Sequence, residues 1–409
     1  MRRKAGSTIT GLDIGSAKVC CAIADQLEGG VEIIGLGTHP STGLVKGMVV
    51  DVEATTEAIG KAVEEAEKMA HQRVRSAFIG IAGTGIKGFA SQGMLPLRGR
   101  KVTAEDMERV IEAAAAVAIP KDLEVLHVLP QEYILDYLGG VKDPIGMQGA
   151  RLEANCYIVT MDSAAIAPYV QCCREAGIDI DGVVLETLAA ADAALADEER
   201  QTGAALLDIG GGTTGMMVFH NEAVKHVAAF AYGGGHVTND IARCLHLTTA
   251  KAEWLKKRYG HCLPADVMPG EEIEVESVGD GETVVIDNRV LCEIIEARVD
   301  EILQLALTEL QRVDLDRLVK DIVLTGGSAH LRGIDELASK IFNRHVRIGQ
   351  PRHIGGLVDV VSSPMYAAAV GLVLFGSNEM SLSKYGKPND PLFGRVSRKF
   401  KTWVTKLIK

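Results

Sequence analysis

Between Thr8 and Gly37 short apolar runs alternate with turn formers: TITGLDIG, KVCCAIAD, the polar turn QLEGG, then VEIIGLG. Runs of this length, rich in β-branched residues and bounded by glycines, predict a three-stranded meander. The same cadence returns at 204–231 as AALLDIG, a glycine turn, GMMVFH, the turn NE and AVKHVAAFA. An Asp-Ile-Gly opens the first turn of each meander, at Asp13 and at Asp208, nearly half the chain apart. That interval predicts two related halves rather than a short-repeat solenoid. Helical periods come after each meander. Residues 51–70 put Ile59, Val63 and Ala66 on one face behind the cap Asp51. Residues 103–118 open with Thr103 and Asp106 in capping-box spacing, 162–177 stop at Gly177, and 288–310 form a long amphipathic run. Sheets followed by helices predict an α/β fold.

The two acid-glycine turns ask for a ligand. Successive backbone N–H groups at a glycine turn form an anion-binding concavity, and missing Cβ atoms let a ligand approach the backbone. In the first turn Gly15, Ser16 and Lys18 add a hydroxyl and a cation; in the second, Gly210, Gly211, Gly212, Thr213 and Thr214 offer backbone donors and hydroxyls. Bare phosphate would be repelled by Asp13 and Asp208. They make sense if a Mg²⁺ ion lies between, held through its waters. Two such turns facing across a cleft would clamp a polyphosphate. A third element, DIVLTGGSAHLRGIDELASKIF at 321–342, reads as strand, turn and helix, with Gly326, Gly327 and Ser328 where a base and ribose could lie against backbone.

Composition narrows the picture. The chain has 409 residues, enough for two or more domains, and a net charge of −11, which argues against a general nucleic-acid-binding surface. Its eight cysteines include no C-x-x-C and read as small buried hydrophobes in a reducing cytoplasm. The basic N-terminus lacks the apolar core of a signal peptide, and no apolar run reaches the ~20 residues of a spanning helix. GTGIKG at 83–88 matches a dinucleotide fingerprint formally, but the next residues, FASQGMLPLRG, have no helical period. No histidine pair has metal-ligand spacing.

Residues 377–393 are polar, with glycine and prolines, and read as a flexible linker. In 394–409, Val396, Phe400, Trp403, Val404, Leu407 and Ile408 share one helical face, flanked by cations including Arg398, Lys399, Lys401 and Lys406, with no acid. Sixteen helical residues reach about 24 Å, short of a bilayer core, so this helix is expected to lie in the interface on anionic lipids. Docking on its own domain or on a partner is the other reading.

DIGSAKVC, DIGGGTTGMMVF and VLTGGSAHLRGI, in this order, resemble the first phosphate, second phosphate and adenosine motifs of the actin, heat-shock-70 and sugar-kinase ATPase superfamily. VVLETLAAADAAL (183–195) and SSPMYAAAVGLVLFG (362–376) are similar to its two hinge helices. HVLPQEYILD (127–136), GIAGTGIKGFASQG and the tail resemble the bacterial actin-like FtsA cell-division family. The resemblance implies an actin-like ATPase fold, two duplicated lobes around a nucleotide cleft with an inserted subdomain and a C-terminal amphipathic helix. It implies subdomain 1A at 1–83 and 163–203 with a hinge helix at 356–376, and an inserted 1C at 84–162. Subdomain 2A falls at 204–245 and 313–355 and 2B at 246–312, before the linker and the helix. It implies ATP and Mg²⁺ as ligands, Gly234, Gly235, Glu253 and Lys256 or Lys257 in the nucleotide cleft, and Glu186 as the hinge glutamate beside the chemistry. It implies weak or absent ATPase activity, self-assembly into filaments, and a peripheral place on the cytoplasmic face of the membrane at the septum. Implied partners are anionic inner-membrane lipids, the C-terminal peptide of the tubulin-like FtsZ on 2B with Arg298 as a contact, and other divisome proteins on the insertion. Two departures stand out: Gly215 where superfamily ATPases often carry an acid, and Thr187 where many carry proline. A small-molecule kinase and a chaperone-like or pilus-assembly ATPase stay open on the same fold. The kinase needs a general base that the sequence does not identify.

Overall fold

A computed structural model describes residues 8–27, 30–276, 283–385 and 395–396. The first meander is β1 (Thr8–Ile14), β2 (Lys18–Leu27) and β3 (Gly30–Pro40), followed by α1 (Val52–Ala70) and β4 (Ser76–Ile81). Asp51 caps α1 by accepting the Ala54 N–H at 3.0 Å. The chain then leaves this lobe through β5 (Lys87–Pro96), α2 (Ala104–Ala115), β6 (Leu123–Leu135) and β7 (Arg151–Asp162). It returns as α3 (Ser163–Glu175), β8 (Asp179–Leu185) and α4 (Glu186–Ala194).

The second lobe repeats the plan with β9 (Ala204–Ile209), β10 (Thr214–His220) and β11 (Ala223–Phe230). Helices α5 (Gly234–Cys244), α6 (Thr249–Tyr259) and α7 (Asn288–Arg312) come next, then β12 (Asp321–Thr325), α8 (Ile334–Phe342), β13 (His345–Ile348) and α9 (Ala367–Tyr385). The strand order is β3-β2-β1-β4-β8 in one lobe, extended by Ile354–Gly356, and β11-β10-β9-β12-β13 in the other. Within each lobe the meander pairs antiparallel and the later strands pair parallel. The duplication read from two short motifs is therefore a duplication of whole sheets.

Helices α4 and α9 cross between the lobes, buried throughout Ala189–Ala191 and Ala369–Val373. The core around them is continuous with Met217 and Phe219 of the second lobe and with Leu126, Tyr157 and Val159 of the insertion. Alternation along β7 divides the inserted sheet: Cys156 and Ile158 pack with Val110 and Ala114 of α2, while Tyr157 and Val159 face the lobes. Thr103 and Asp106 form the reciprocal capping box of α2. After GTGIKG comes the strand β5, not the helix a dinucleotide site requires.

One expectation for the C-terminal segment needs correction. The linker expected from residue 377 does not begin there: α9 continues to Tyr385, because Ser377–Tyr385 is polar without a glycine or proline and the first breaker is Gly386. Of the segment expected from 394 to form the amphipathic helix, only Arg395 and Val396 are among the described residues. Arg395 and Val396 pair antiparallel with Val128 and His127 of β6, whose open edge offers ladder bonds to any extended segment. Phe400, Trp403, Val404, Leu407, Ile408, Arg398, Lys399, Lys401 and Lys406 lie outside the described residues. Among the described residues no helix is long and apolar enough to cross a membrane.

Candidate functional site

The two acid turns are equivalent in register. Asp13 stands opposite Cys20 and Asp208 opposite Gly215, and the turns close with Gly15 N–H to Lys18 O at 3.1 Å and Gly210 N–H to Thr213 O at 2.9 Å. Their tips touch across the lobes. A Cβ built on Gly211 would fall 2.6 Å from Ala17 Cβ, and one on Gly212 2.6 Å from Ser16 Oγ. The Ser16 hydroxyl also accepts the Gly47 N–H at 3.0 Å, tying the first turn to the loop before α1.

Beneath the tips lies a cluster of buried charge. Glu186, the first residue of α4, lies over Gly80, where a Cβ would meet its Cγ at 2.9 Å, and Gly80 is the parallel partner of Asp13. Burial raises the Asp208 carboxyl to about 7, with Asp13 adding to the effect. Burial also raises Asp13, against the pull of Lys18 and a hydrogen bond with Glu186. Glu186 is pushed well above the carboxylate range by burial, Asp13 and Asp208. Burial lowers the Lys18 ammonium, but Cys20, Asp13, Tyr366 and Asp208 outweigh it and raise the group overall. Lys18 Nζ lies 4.7 Å from the Tyr366 ring centre. Neither Lys18 Nζ nor Glu186 Oε1, both buried, has a hydrogen-bond partner. Three acids that cannot all ionise together, with an unsatisfied ammonium and an unsatisfied carboxyl oxygen, fit a hydrated divalent cation and a polyphosphate. Among the described residues no group of three or more His, Cys, Asp and Glu side chains could hold a metal ion directly.

The second turn is braced from its own lobe. Gly234 and Gly235, opening α5, donate N–H to the Gly210 and Gly211 carbonyls at 2.9 and 2.8 Å, and Ser328 Oγ donates to Gly210 O at 3.1 Å. Gly326, at φ 86°, lies against the second acid: a Cβ there would be 2.4 Å from Asp208 Oδ1. The sequence left Lys256 and Lys257 as equals, and the structure separates them. Lys256 is buried and donates to Gly234 O at 2.9 Å and Thr238 Oγ1 at 2.7 Å, while pairing with Glu253 at 2.6 Å. Lys257 reaches only Glu253, at 3.1 Å, and is exposed. Burial raises Glu253, but Lys256, Thr238 and Lys257 together hold it below its ordinary value. Arg298 on α7 bonds Asp240 and Glu301 and lies over the Tyr232 ring, so a peptide seeking it would have to compete with these partners.

Sequence reasoning missed three contacts. Tyr366 under Lys18 and the 2.7 Å bond between His330 Nε2 and Ser363 Oγ join the adenosine-type loop and first turn to the segment before α9. Thr187 occupies the space beside Gly215, where a Cβ would lie 2.0 Å from its Oγ1. None carries a local signal, since each partner is distant in sequence.

In-register lobes, hinged on crossing helices and closing acid-glycine turns on each other, define the actin-like ATPase fold. Family models described as "Cell division protein FtsA" and "SHS2 domain inserted in FTSA" match residues 205–371 and 83–160. The chain is 42% identical to the cell division protein FtsA of Pseudomonas aeruginosa over 98% of both chains, and 35% identical to that of Escherichia coli K12 over 90% of both. The chain belongs to the FtsA family of cell-division proteins. Among solved structures, the PilM–PilN type IV pilus biogenesis complex matches with TM-score 0.65 at 18% identity, over 90% of this chain and 98% of that one. MreB5 of Spiroplasma citri bound to ADP matches with TM-score 0.56 at 16% identity, over 94% of this chain and 100% of that one.

Proposed function

We propose that the chain is an ATP-binding, actin-like cell-division protein. It polymerises on the cytoplasmic face of the membrane and anchors the FtsZ ring through its amphipathic tail. The observation that carries this reading is the contact between the two acid-glycine turns above a buried ammonium and a carboxyl oxygen that lack partners. The neighbouring fold that binds ADP in MreB5 supports the same ligand class here.

In this reading Gly15, Ser16 and Lys18 hold the phosphates from one lobe and Gly210–Thr214 from the other, with Asp13 and Asp208 holding the waters of Mg²⁺. Gly234, Gly235, Lys256, Glu253 and Gly326–Ser328 flank the nucleoside. When bound, Mg²⁺·ATP supplies a charged bridge between the lobes and a cleavable phosphoanhydride. The protein's part is to position it. Lys18 brings a positive charge that is already desolvated, and the turns bring N–H groups fixed by their ladders, so little reorganisation is needed on binding. Burial and the neighbouring Asp13 and Asp208 favour the protonated form of the Glu186 carboxyl, and a cation in the cluster would favour the ionised one.

The tail supplies the membrane contact. Its cations contribute up to about 1 kcal/mol each near an anionic surface, yet a single short helix binds reversibly, and many tails on one filament bind firmly through effective concentration. The FtsZ peptide is assigned to 246–312 and other divisome proteins to the insertion.

Co-sedimentation with anionic vesicles tests the whole reading, using the full chain and a chain ending at residue 393, with and without Mg²⁺·ATP. The full chain should pellet with vesicles, more strongly with nucleotide, and the shortened chain should stay in solution. Tail-independent pelleting, or indifference to nucleotide, would refute it.

A further inference from the structure

The inserted subdomain is continuous in sequence only with the first lobe, which it also bonds through Leu185 N–H to His127 Nε2 at 3.0 Å, yet it makes a further set of polar bonds to the second lobe. Gln131 Nε2 on β6 donates to Val224 O at 2.6 Å, and Lys142 pairs with Glu222 at 2.7 Å. Tyr157 Oη on β7 accepts the Val227 N–H at 3.3 Å and lies 3.4 Å from His226 Nδ1. The reach of Tyr157 depends on Gly88 of β5, where a Cβ would sit 2.3 Å from that hydroxyl. The other nitrogen of His226 meets Glu309 on α7 at 2.7 Å, and Glu309 is fixed from behind by Arg312 at 2.7 Å.

Helix α7 leads back to the cleft. Three turns before Glu309, about 17 Å along the axis, Arg298 bonds Asp240 of α5 and lies over Tyr232. Tyr232 and α5 flank the second acid turn: Thr214 Oγ1 donates to Tyr232 O at 2.8 Å, and Gly234 and Gly235 bond the Gly210 and Gly211 carbonyls. One rigid helix thus holds the second turn near one end and the inserted sheet near the other.

We infer that α7 couples the second acid turn to the docking of the inserted subdomain, through Asp240–Arg298 at one end and Glu309–His226–Tyr157 at the other. This rests on the nucleotide reading of the turns and adds a mode of regulation to it. A ligand gripped by both turns sets the angle between the lobes. Strand β11 belongs to the second lobe and the inserted sheet hangs from the first, so a change of angle must slide the seam. These polar bonds sit on a continuous apolar core that includes Tyr157, Val224 and Val227, and as the seam slides each of them is either made or broken. The surface of the insertion offered to a partner therefore differs between the nucleotide-bound and nucleotide-free protein.

Hydrogen exchange on the full chain, with Mg²⁺ alone and with Mg²⁺·ATP, tests this together with a direct ATP-binding titration. In the unaltered protein ATP should change exchange in β5 and β7 by about fivefold or more, the lower end of ordinary coupling between sites. Tyr157→Phe and Glu309→Gln should each leave ATP affinity within about twofold and abolish that change. An undiminished change in both variants, or ATP binding without any change in β5 and β7, would overturn the coupling. Absence of ATP binding in the unaltered protein would overturn the nucleotide reading itself, and the coupling with it.

Discussion

Gly371 tests whether α4 and α9 really cross backbone to backbone between the lobes. It lies within α9, and a Cβ there would fall 1.8 Å from the Ala189 carbonyl oxygen, 2.2 Å from its carbon and 2.9 Å from Cα. A carbon–oxygen contact needs about 3.3 Å, so Gly371→Ala must part the helices by roughly 1.5 Å. The obstacle is helix backbone and cannot rotate away. On propensity alone a buried helix glycine replaced by alanine gains about 1 kcal/mol; overpacking of this kind costs about 1–3 kcal/mol and sometimes more. The upper end applies here because both helices are core on every side, giving a net loss of roughly 2 kcal/mol. Gly60, inside α1, has nothing within 4 Å of its would-be Cβ and serves as the internal control. Urea denaturation of the two variants should move in opposite directions, Gly60→Ala upward by up to ~1 kcal/mol and Gly371→Ala downward. ATP affinity should fall only in Gly371→Ala, since the crossing sets the lobe angle. A Gly371→Ala protein as stable as Gly60→Ala would refute the close crossing.

Two further predictions concern the acid turns. Asp208 rises from 3.8 to about 7 in the folded protein, so between those values the native state holds a proton that the unfolded chain releases. In EDTA, stability from this group is therefore greatest below pH 4 and falls as pH rises to 7, by up to ~4 kcal/mol. Asp208→Asn should flatten that fall and be the more stable protein at pH 8, and urea midpoints at pH 5 and pH 8 showing the same slope in both would contradict it. Gly211→Ala should push the first turn away from the second and weaken ATP binding about tenfold, the equivalent of ~1.4 kcal/mol, and Ala17→Gly in the same chain should restore it, because the facing Cβ is then gone. Binding titrations in which the second change gives no rescue would mean the tips do not meet.

Local signals account for the parts of the fold that were legible in the sequence. Alternation, turn glycines and the repeated Asp-Ile-Gly give both meanders, and Asp51 and the Thr103–Asp106 box give helix starts, because each is complete within a few residues. The site is assembled from further away. Glu186 reaches Asp13 only because Gly80, on the strand between them, leaves it room. Lys256 and Lys257 are indistinguishable until the face of α6 that meets Gly234 and Thr238 is known. The Tyr157–His226–Glu309 contacts join three elements with no common motif. At the other end, polar composition suggests a linker where the absence of a breaker lets α9 run on to Tyr385.

In the sequence Gly215 and Thr187 are two separate departures from the superfamily pattern, one removing an acid and one removing a proline. In the structure they are a single contact. Thr187 is 4% exposed, and its hydroxyl fills the space a side chain at 215 would need. An acid therefore cannot enter at 215 while Thr187 stays. The second turn is left with N–H and hydroxyl groups, which bind anions but take up no proton at neutral pH. Glu186 is the nearby alternative base, yet burial and two neighbouring carboxylates favour its protonated form. The close packing of Thr187 on Gly215 thus keeps the second turn of the proposed cleft free of an acid at that position.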